Sequence, residues 1–213
     1  TNNVETESWD GSSWSEVSDL SNGRRNMCAF GTQTAAVAAG GFTPPGASTY
    51  NSVVEEWNGS SWSANPNALP GNRAAGDALG TATAGLVFGG AQPPNLSTTF
   101  SFDGTSFSAG GNLISATTES HMTAGSQTAG LYAGGYTAPG PAASTKTEAY
   151  DGTAWATRPS MSTARGGGAG LGSTSVATAG LAGGGNNPGG DTSATEEFTG
   201  ESTTVNASTL TTS

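Results

Sequence analysis

Trp57-Asn58-Gly59-Ser60-Ser61-Trp62 sets an aromatic residue on either side of an Asn-Gly turn signal, and the pattern returns along the chain. Copies begin at Trp9 (WDGSSW), Phe102 (FDGTSF) and Tyr150 (YDGTAW), and a worn copy begins at Phe198 (FTGEST). Successive starts lie 48, 45, 48 and 48 residues apart. A period of about 50 residues marks a propeller or solenoid array, in which each unit buries its apolar face only against its neighbours.

Within a copy the residues predict two antiparallel strands joined by a tight turn. Asp-Gly or Asn-Gly supplies the positive φ angles of a short hairpin turn, because Gly lacks a Cβ and Asn or Asp tolerates the left-handed region. Alternation before the turn puts Val54, Glu56 and Asn58 on one face and Glu55 and Trp57 on the other, and Trp62 opens the following strand. The aromatics pack between repeats, or else form a platform for stacking on a sugar.

Working outward, each aromatic hairpin after the first is preceded by two small-residue strands. In the first such unit these are Asn26 to Phe30 and Thr34 to Ala39, joined at Gly31-Thr32-Gln33 and entered through the connector Leu20 to Arg25. Glycine doublets end the second strand at Gly40-Gly41, Gly89-Gly90, Gly134-Gly135 and Gly183-Gly184, where close backbone approach or a bulge is expected. Loops of differing sequence follow: Phe42 to Thr49, Ala91 to Ser97, Tyr136 to Ser144 and Gly185 to Ser193. One period therefore holds four strands. The chain divides into a half-unit, 1–20, that carries the hairpin Val4 to Val17 alone, and units of about 21–66, 67–110, 111–158 and 159–207. The expected fold is one all-β repeat domain of about five four-stranded blades, four contiguous and one an N-terminal half-blade.

The 34 glycines and the 10% of charged residues would read as disorder if they lacked a period. The net charge of −10, from 16 acidic and 6 basic side chains, argues against non-specific binding to nucleic acid or to an anionic membrane. The lone cysteine, Cys28, allows neither an intrachain disulfide nor a cysteine-based metal site, and its apolar neighbours mark it as a small core residue. No run of 18 apolar residues is present, so membrane insertion is not expected. The chain starts at Thr1 without Met and ends in Ser/Thr-rich residues after Thr203, which reads as a fragment or a processed product.

The doublets, the Trp57-Asn58 and Tyr150-Asp151 pairs, and Trp14, Trp62 and Trp155 in the following strand resemble the Kelch repeat. That resemblance covers nearly the whole chain and implies a β-propeller; it is specific for fold and weak for function, since such propellers serve as enzymes, protein-binding modules and lectins. The style GTQTAAVAAGG and WDGSSW, with Lys146 the one lysine, is similar to Kelch-type proteins of marine bacteriophages. The resemblance implies a virion location, as a tail or capsid fibre. The last unit departs from the pattern, with Phe198-Thr199-Gly200 and no following Trp.

The chemistry of the known propeller enzymes finds little footing. A copper oxidase of the galactose oxidase type needs two His ligands, and His121 is the one histidine. Its neighbours Glu119 and Ser120 are adjacent in sequence, which does not amount to a Ser-His-acid triad. The Ser-x-Asp-x-Gly box of sialidase-like propellers is absent, because Asp and Gly are adjacent in every copy. No calcium-loop motif is present. No cofactor or metal is expected, and the N-glycosylation pattern at Asn58, Asn95 and Asn206 is of the kind that arises by chance in such a composition.

Two sets of residues are candidates for ligand binding. Arg24, Arg73 and Arg165 recur in the connectors, four residues after Leu20, Leu69 and Met161, with Thr117 in the third unit's place. They either bond to a neighbouring blade's backbone or carboxylate, or form a ring of donors on one face. Phe42, Tyr50 and Tyr136 lie in or beside the variable loops. In an up-and-down blade those loops and the connectors share one face, where aromatics can stack on a sugar or anchor a protein. Glu5, Glu55-Glu56, Glu148 and Glu196-Glu197 precede the turns in register, as structural or solvated groups do. The function expected is a non-enzymatic virion adhesin that contacts host-surface glycan or protein and other virion proteins, with homo-oligomers allowed. The alternatives are a structural or decorating virion module without a ligand, and a glycan-cleaving enzyme using acidic residues on the variable face.

Overall fold

In all four intact copies of the motif the Asp or Asn side chain organises the turn. One oxygen of Asp10 accepts the backbone N–H groups of Ser12 and Ser13 at 2.7 and 2.8 Å. Asn58 does the same for Ser60 and Ser61, Asp103 for Thr105 and Ser106, and Asp151 for Thr153 and Ala154. Only the glycine takes the left-handed region, with φ of 100°, 93°, 95° and 94° at Gly11, Gly59, Gly104 and Gly152. The paired aromatics Trp9 and Trp14, Trp57 and Trp62, Phe102 and Phe107, and Tyr150 and Trp155 stand directly opposite one another across four-residue loops. The Asp or Asn is thus a side-chain acceptor rather than a second positive-φ residue, because a four-residue loop needs its N–H groups satisfied locally.

The computed structural model describes residues 4–43, 49–120, 122–137, 142–172, 178–187 and 189–200, with the backbone alone for 171 and 172. Among these residues there is no helix, and the sheets are small and antiparallel. The N-terminal hairpin pairs Thr6–Trp9 with Trp14–Val17. The first sheet runs Cys28–Thr32, Ala35–Ala39, Val54–Trp57 and Trp62–Ala64 in spatial as in sequence order. The second holds Asp77–Thr81, Ala84–Phe88, Thr99–Phe102 and Phe107–Ala109, and the third Met122–Ser126, Ala129–Ala133, Thr147–Tyr150 and Trp155–Arg158. The fourth has three strands among the described residues, Ala169–Gly172, Ala179–Gly183 and Thr195–Thr199.

Two registers differ from the sequence reading. The first strand of the first sheet is Cys28–Thr32 and not Asn26 to Phe30, because Asn26 has φ of 52°, in the left-handed region and outside the extended range of a regular strand. The last glycine doublet is Gly184-Gly185, with φ of 64° and 100°, matching Gly40-Gly41, Gly89-Gly90 and Gly134-Gly135, while Gly183 ends its strand.

Period-2 alternation gives each sheet two apolar faces, a forward one toward the next unit and a backward one toward the previous unit. Cys28, Phe30, Val37, Ala39 and Val54 on the forward face of the first sheet pack on Val87, Phe100 and Phe102 of the second. Leu79, Leu86 and Phe88 of the second meet Tyr132, Tyr150 and Trp155 of the third. Ala124, Leu131 and Ala149 of the third meet Phe198 of the fourth. Each fully buried large side chain contributes about 1.5–3 kcal/mol. Space sets some glycines here: a Cβ on Gly85 would overlap the Phe30 ring.

The first strands of consecutive sheets lie against one another. Just before them Asn26, Ala75, Glu119 and Gly167, all left-handed, form a backbone chain: Ala75 N–H to Asn26 O at 2.7 Å, Glu119 to Ala75 at 2.9 Å, Gly167 to Glu119 at 2.7 Å. The N-terminal hairpin obeys the same geometry. The Trp62 indole donates to Thr6 Oγ1 at 3.0 Å, as the Trp155 indole donates to Thr99 Oγ1 at 2.9 Å. Gln33 Nε2 donates to Trp9 O at 2.7 Å, as Gln127 Nε2 donates to Phe102 O at 2.7 Å. The hairpin therefore stands to the first sheet as the outer half of the second sheet stands to the third.

Candidate binding face

After each glycine doublet the chain turns back onto the connector that entered its unit. Isolated bridges join Arg25 to Phe42, Ala74 to Ala91 and Gly166 to Asn186, and a two-residue strand pair joins Thr117–Thr118 to Tyr136–Thr137. Further bridges join Asn51 to Arg73 and Ser144 to Arg165, the connectors into the next units. The variable loops and the connectors thus form one layer. Small hairpins rise from it at Phe42–Thr43 with Thr49–Tyr50, Tyr136–Thr137 with Ala142–Ala143, and Asn186–Asn187 with Gly190–Asp191.

Two of the three candidate aromatics come together. Phe42 and Tyr50 are cross-strand partners with ring centroids 4.8 Å apart, both half-buried, and the Arg25 guanidinium lies 5.8 Å from the Phe42 centroid. Tyr136 belongs to another unit. Its ring lies over Gly166, where a Cβ would overlap it, and its hydroxyl is 3.5 Å from Asn186 Oδ1. Residues 44–48 of the first loop lie outside the described residues, as does His121.

The arginines face inward, and the ring of surface donors is not what they form. Arg24 is buried and donates to Val53 O at 2.7 Å, Ala38 O at 3.1 Å and the buried Glu55 carboxylate at 3.1 Å. Arg165 donates to Ala194 O at 2.6 Å, Gly184 O at 3.1 Å and Glu196 at 2.6 Å, matching the Arg24 bonds to Val53 O, to Gly40 O at 3.3 Å and to Glu55. Arg73, where Phe100 replaces the acid, donates to Gly89 O and the Thr98 oxygens and stacks on Phe100 at 4.8 Å. Each arginine ties the glycine-doublet end of the second strand to the third strand of its own unit. The carbonyls at a sheet's end need donors, and a five-donor fork meets several at once.

The carboxylates complete this construction in a way the sequence did not reveal. Glu55 accepts the Ser21 N–H at 2.8 Å, and Glu196 those of Ser162 and Thr163 at 2.6 and 3.1 Å, so each acid holds its own connector. Burial alone would raise the Glu196 carboxyl; the Ser162 and Thr163 hydrogen bonds and Arg165 outweigh it, and the net displacement is downward. In the third unit Thr117 stands in place of the arginine, and Glu148 accepts Ile114 N–H at 2.9 Å, Ser115 N–H at 3.2 Å and the Tyr132 hydroxyl at 3.0 Å. Tyr132 occupies the position of Ala38 and Ala182 in the arginine-bearing units. Burial, then the charge and hydrogen bond of Glu148, raise the Tyr132 phenol above its ordinary range. The available signal was this exchange of Arg with Ala for Thr with Tyr.

Burial also sorts the motif aromatics. Trp57, Phe102, Tyr150 and Trp155 are buried packing residues, whereas Trp9 and Trp14 of the N-terminal hairpin are 43% and 64% exposed. A cleft of about 210 Å³ lies between the third and fourth sheets, lined by Met122, Leu131, Met161, Ala182, Glu196 and Phe198 among others. It marks the joint with the smallest facing side chains, Ala124, Ala149 and Ala182.

Among the described residues no three His, Cys, Asp or Glu side chains are grouped to hold a metal ion, and no helix is long and apolar enough to cross a membrane. Burial, only partly offset by the positive charge of Arg73, pushes the Cys28 thiol up to about 12. No protein-family model matches the chain, and no curated protein matches it either.

Proposed function

We propose that the chain is a non-enzymatic, Kelch-like propeller array carried on a virion, as a tail or capsid fibre module, and that its loop layer contacts host-surface glycan or protein. The carrying observation is the loop layer itself. Hairpins of unlike sequence are mounted in equivalent positions on sheets that repeat, and the first presents the half-buried Phe42–Tyr50 pair. Binding residues concentrate on loops held by a rigid scaffold, and paired aromatics offer a flat apolar surface with a polar hydroxyl at its rim. The arginines support that scaffold from inside and leave recognition to the loops.

The test is a glycan array and host-cell adsorption assay on the folded protein, with Phe42→Ala and Tyr50→Ala combined. The reading expects at least a tenfold loss, on the order of the 1.4 kcal/mol that one stacked aromatic supplies. Full adsorption by that variant, with loss on substituting Asp10, Asn58 or Asp103 at the opposite turns, refutes it. A second reading, a spacer or decorating module without a ligand, draws on Tyr136, whose ring and hydroxyl are engaged with Gly166 and Asn186 across a unit boundary.

A further inference from the structure

The joints from the first sheet to the second and from the second to the third are built the same way, and Phe198 alone takes the aromatic place at the joint to the fourth. A forward face contributes an aliphatic residue from the second strand, and the backward face of the next sheet contributes the aromatics that flank its turn. Val37, Leu86 and Leu131 hold the forward position, each covered by the following sheet and 1%, 0% and 4% exposed. Leu181 holds it in the fourth sheet, by its register against Leu171 and Glu197, and is 46% exposed. The acid beside it is no obstacle, because Glu56 holds the matching position in the first sheet and is hydrogen-bonded by Asn65.

The complementary half of this joint stands uncovered at the other end of the array. Trp9 and Trp14 match Tyr150 and Trp155, and Phe102 and Phe107, in register and in ring geometry, with centroids 5.4 Å apart against 5.1 and 4.7 Å. In the second and third sheets these pairs pack against the forward apolar face of the preceding sheet, Phe107 partly buried and Trp155 fully, with Phe88 4.7 Å from Trp155 and Leu79 and Leu86 in the same cluster. No described residue covers Trp14 or Leu181 in this way. A soluble chain seldom leaves two adjacent tryptophans and a leucine face to water without a partner.

We propose that the forward face of the fourth sheet, centred on Leu181, docks onto the Trp9–Trp14 face of a second copy of this chain, reproducing the internal joint between molecules. The two surfaces differ, so the contact is heterologous and head-to-tail, and it propagates into a ring or a filament according to the rotation per copy. The occupant is fixed by continuity: the same pairing of an aliphatic second strand with a turn-flanking aromatic pair already joins the second sheet to the third.

Sedimentation of the wild type should show a mass that rises with protein concentration. Leu181→Glu and Trp14→Glu, each checked for a wild-type circular dichroism spectrum, should each be monomeric. Mixed at equal concentration they should form a dimer and nothing larger, because the mixture contains one intact pair of faces. If either charged variant unfolds, Leu181→Ser and Trp14→Ser replace the pair in the same assay. A wild type that stays monomeric at every concentration overturns the proposal, as does a mixture that fails to dimerise. Blue-shifted emission from Trp14 in dilute monomer overturns it too, since the chain would then cover its own tryptophan face.

Discussion

Replacing Trp155 by Ala removes the side chain that fastens the third sheet to the second. Its ring centroid lies 4.7 Å from Phe88, 5.1 Å from Tyr150 and 5.7 Å from Tyr132, and its indole N–H donates to the buried Thr99 hydroxyl at 2.9 Å. Truncating a buried Trp costs about 3–5 kcal/mol. Stranding the Thr99 hydroxyl carries a penalty of about 1–3 kcal/mol that overlaps with this, which puts the loss near the top of the range, about 4–5 kcal/mol. Trp14→Ala is the control. It occupies the same point of the motif but is 64% exposed, so at low protein concentration its effect should stay within about 0.5 kcal/mol. Urea unfolding followed by circular dichroism reads both. With a slope of about 1–3 kcal/mol per molar urea, Trp155→Ala should lower the midpoint by about 1.3 M or more and Trp14→Ala should barely move it. Equal midpoints for the two variants would refute the claim that the joints between sheets carry the stability.

The arginines give a graded series: Arg24→Met strands the buried Glu55 carboxylate and should cost about 3–5 kcal/mol, whereas Arg73→Met, with Phe100 in the acid's place, should cost less in the same urea assay. Asp10, Asp103 and Asp151 are held below the usual carboxylate range by the backbone N–H groups of Ser13 and Ser12, Ser106 and Thr105, and Ala154 and Thr153. Groups whose folded pKa is depressed stabilise above their unfolded value of about 3.9 and lose that contribution as pH falls through the folded one, so unfolding midpoints should drop below about pH 4. Asp151→Asn should keep the turn, as Asn58 does, and shrink that drop. Cys28, buried and with its thiol displaced to about 12, should resist iodoacetamide at pH 8 in the folded protein and react promptly in denaturant.

What the sequence made legible was what repeats locally. The turn-flanking aromatics, the strand pairs and the shared side of loops and connectors follow from period-2 alternation and the recurrence of one motif. The last doublet was misplaced by one residue because Gly183, Gly184 and Gly185 form a run that offers no internal landmark, and only the φ angles separate strand end from bulge. Of the candidate site, the sequence placed Phe42 and Tyr50 in or beside one loop, and their cross-strand pairing emerged from the structure alone. The inward turn of Arg24 and Arg165 was not legible, since each acid partner lies 31 residues away and its side chain could have faced either side of its strand. Nor was the contrast between Trp14 and Trp155, identical in motif, because burial there depends on whether a forward face lies opposite.

The five indole N–H groups test the repeated joint most directly, by amide-type hydrogen exchange in a two-dimensional ¹H–¹⁵N spectrum with each signal assigned by Trp→Phe substitution. Trp57, Trp62 and Trp155, which donate to Gln33 O, Thr6 Oγ1 and Thr99 Oγ1, should be protected, and Trp9 and Trp14 should exchange rapidly in dilute solution. Rapid exchange at Trp62, with Trp155 protected, would contradict the assignment of the N-terminal hairpin as the outer half of a preceding unit, and equal rates at all five would contradict the joint itself.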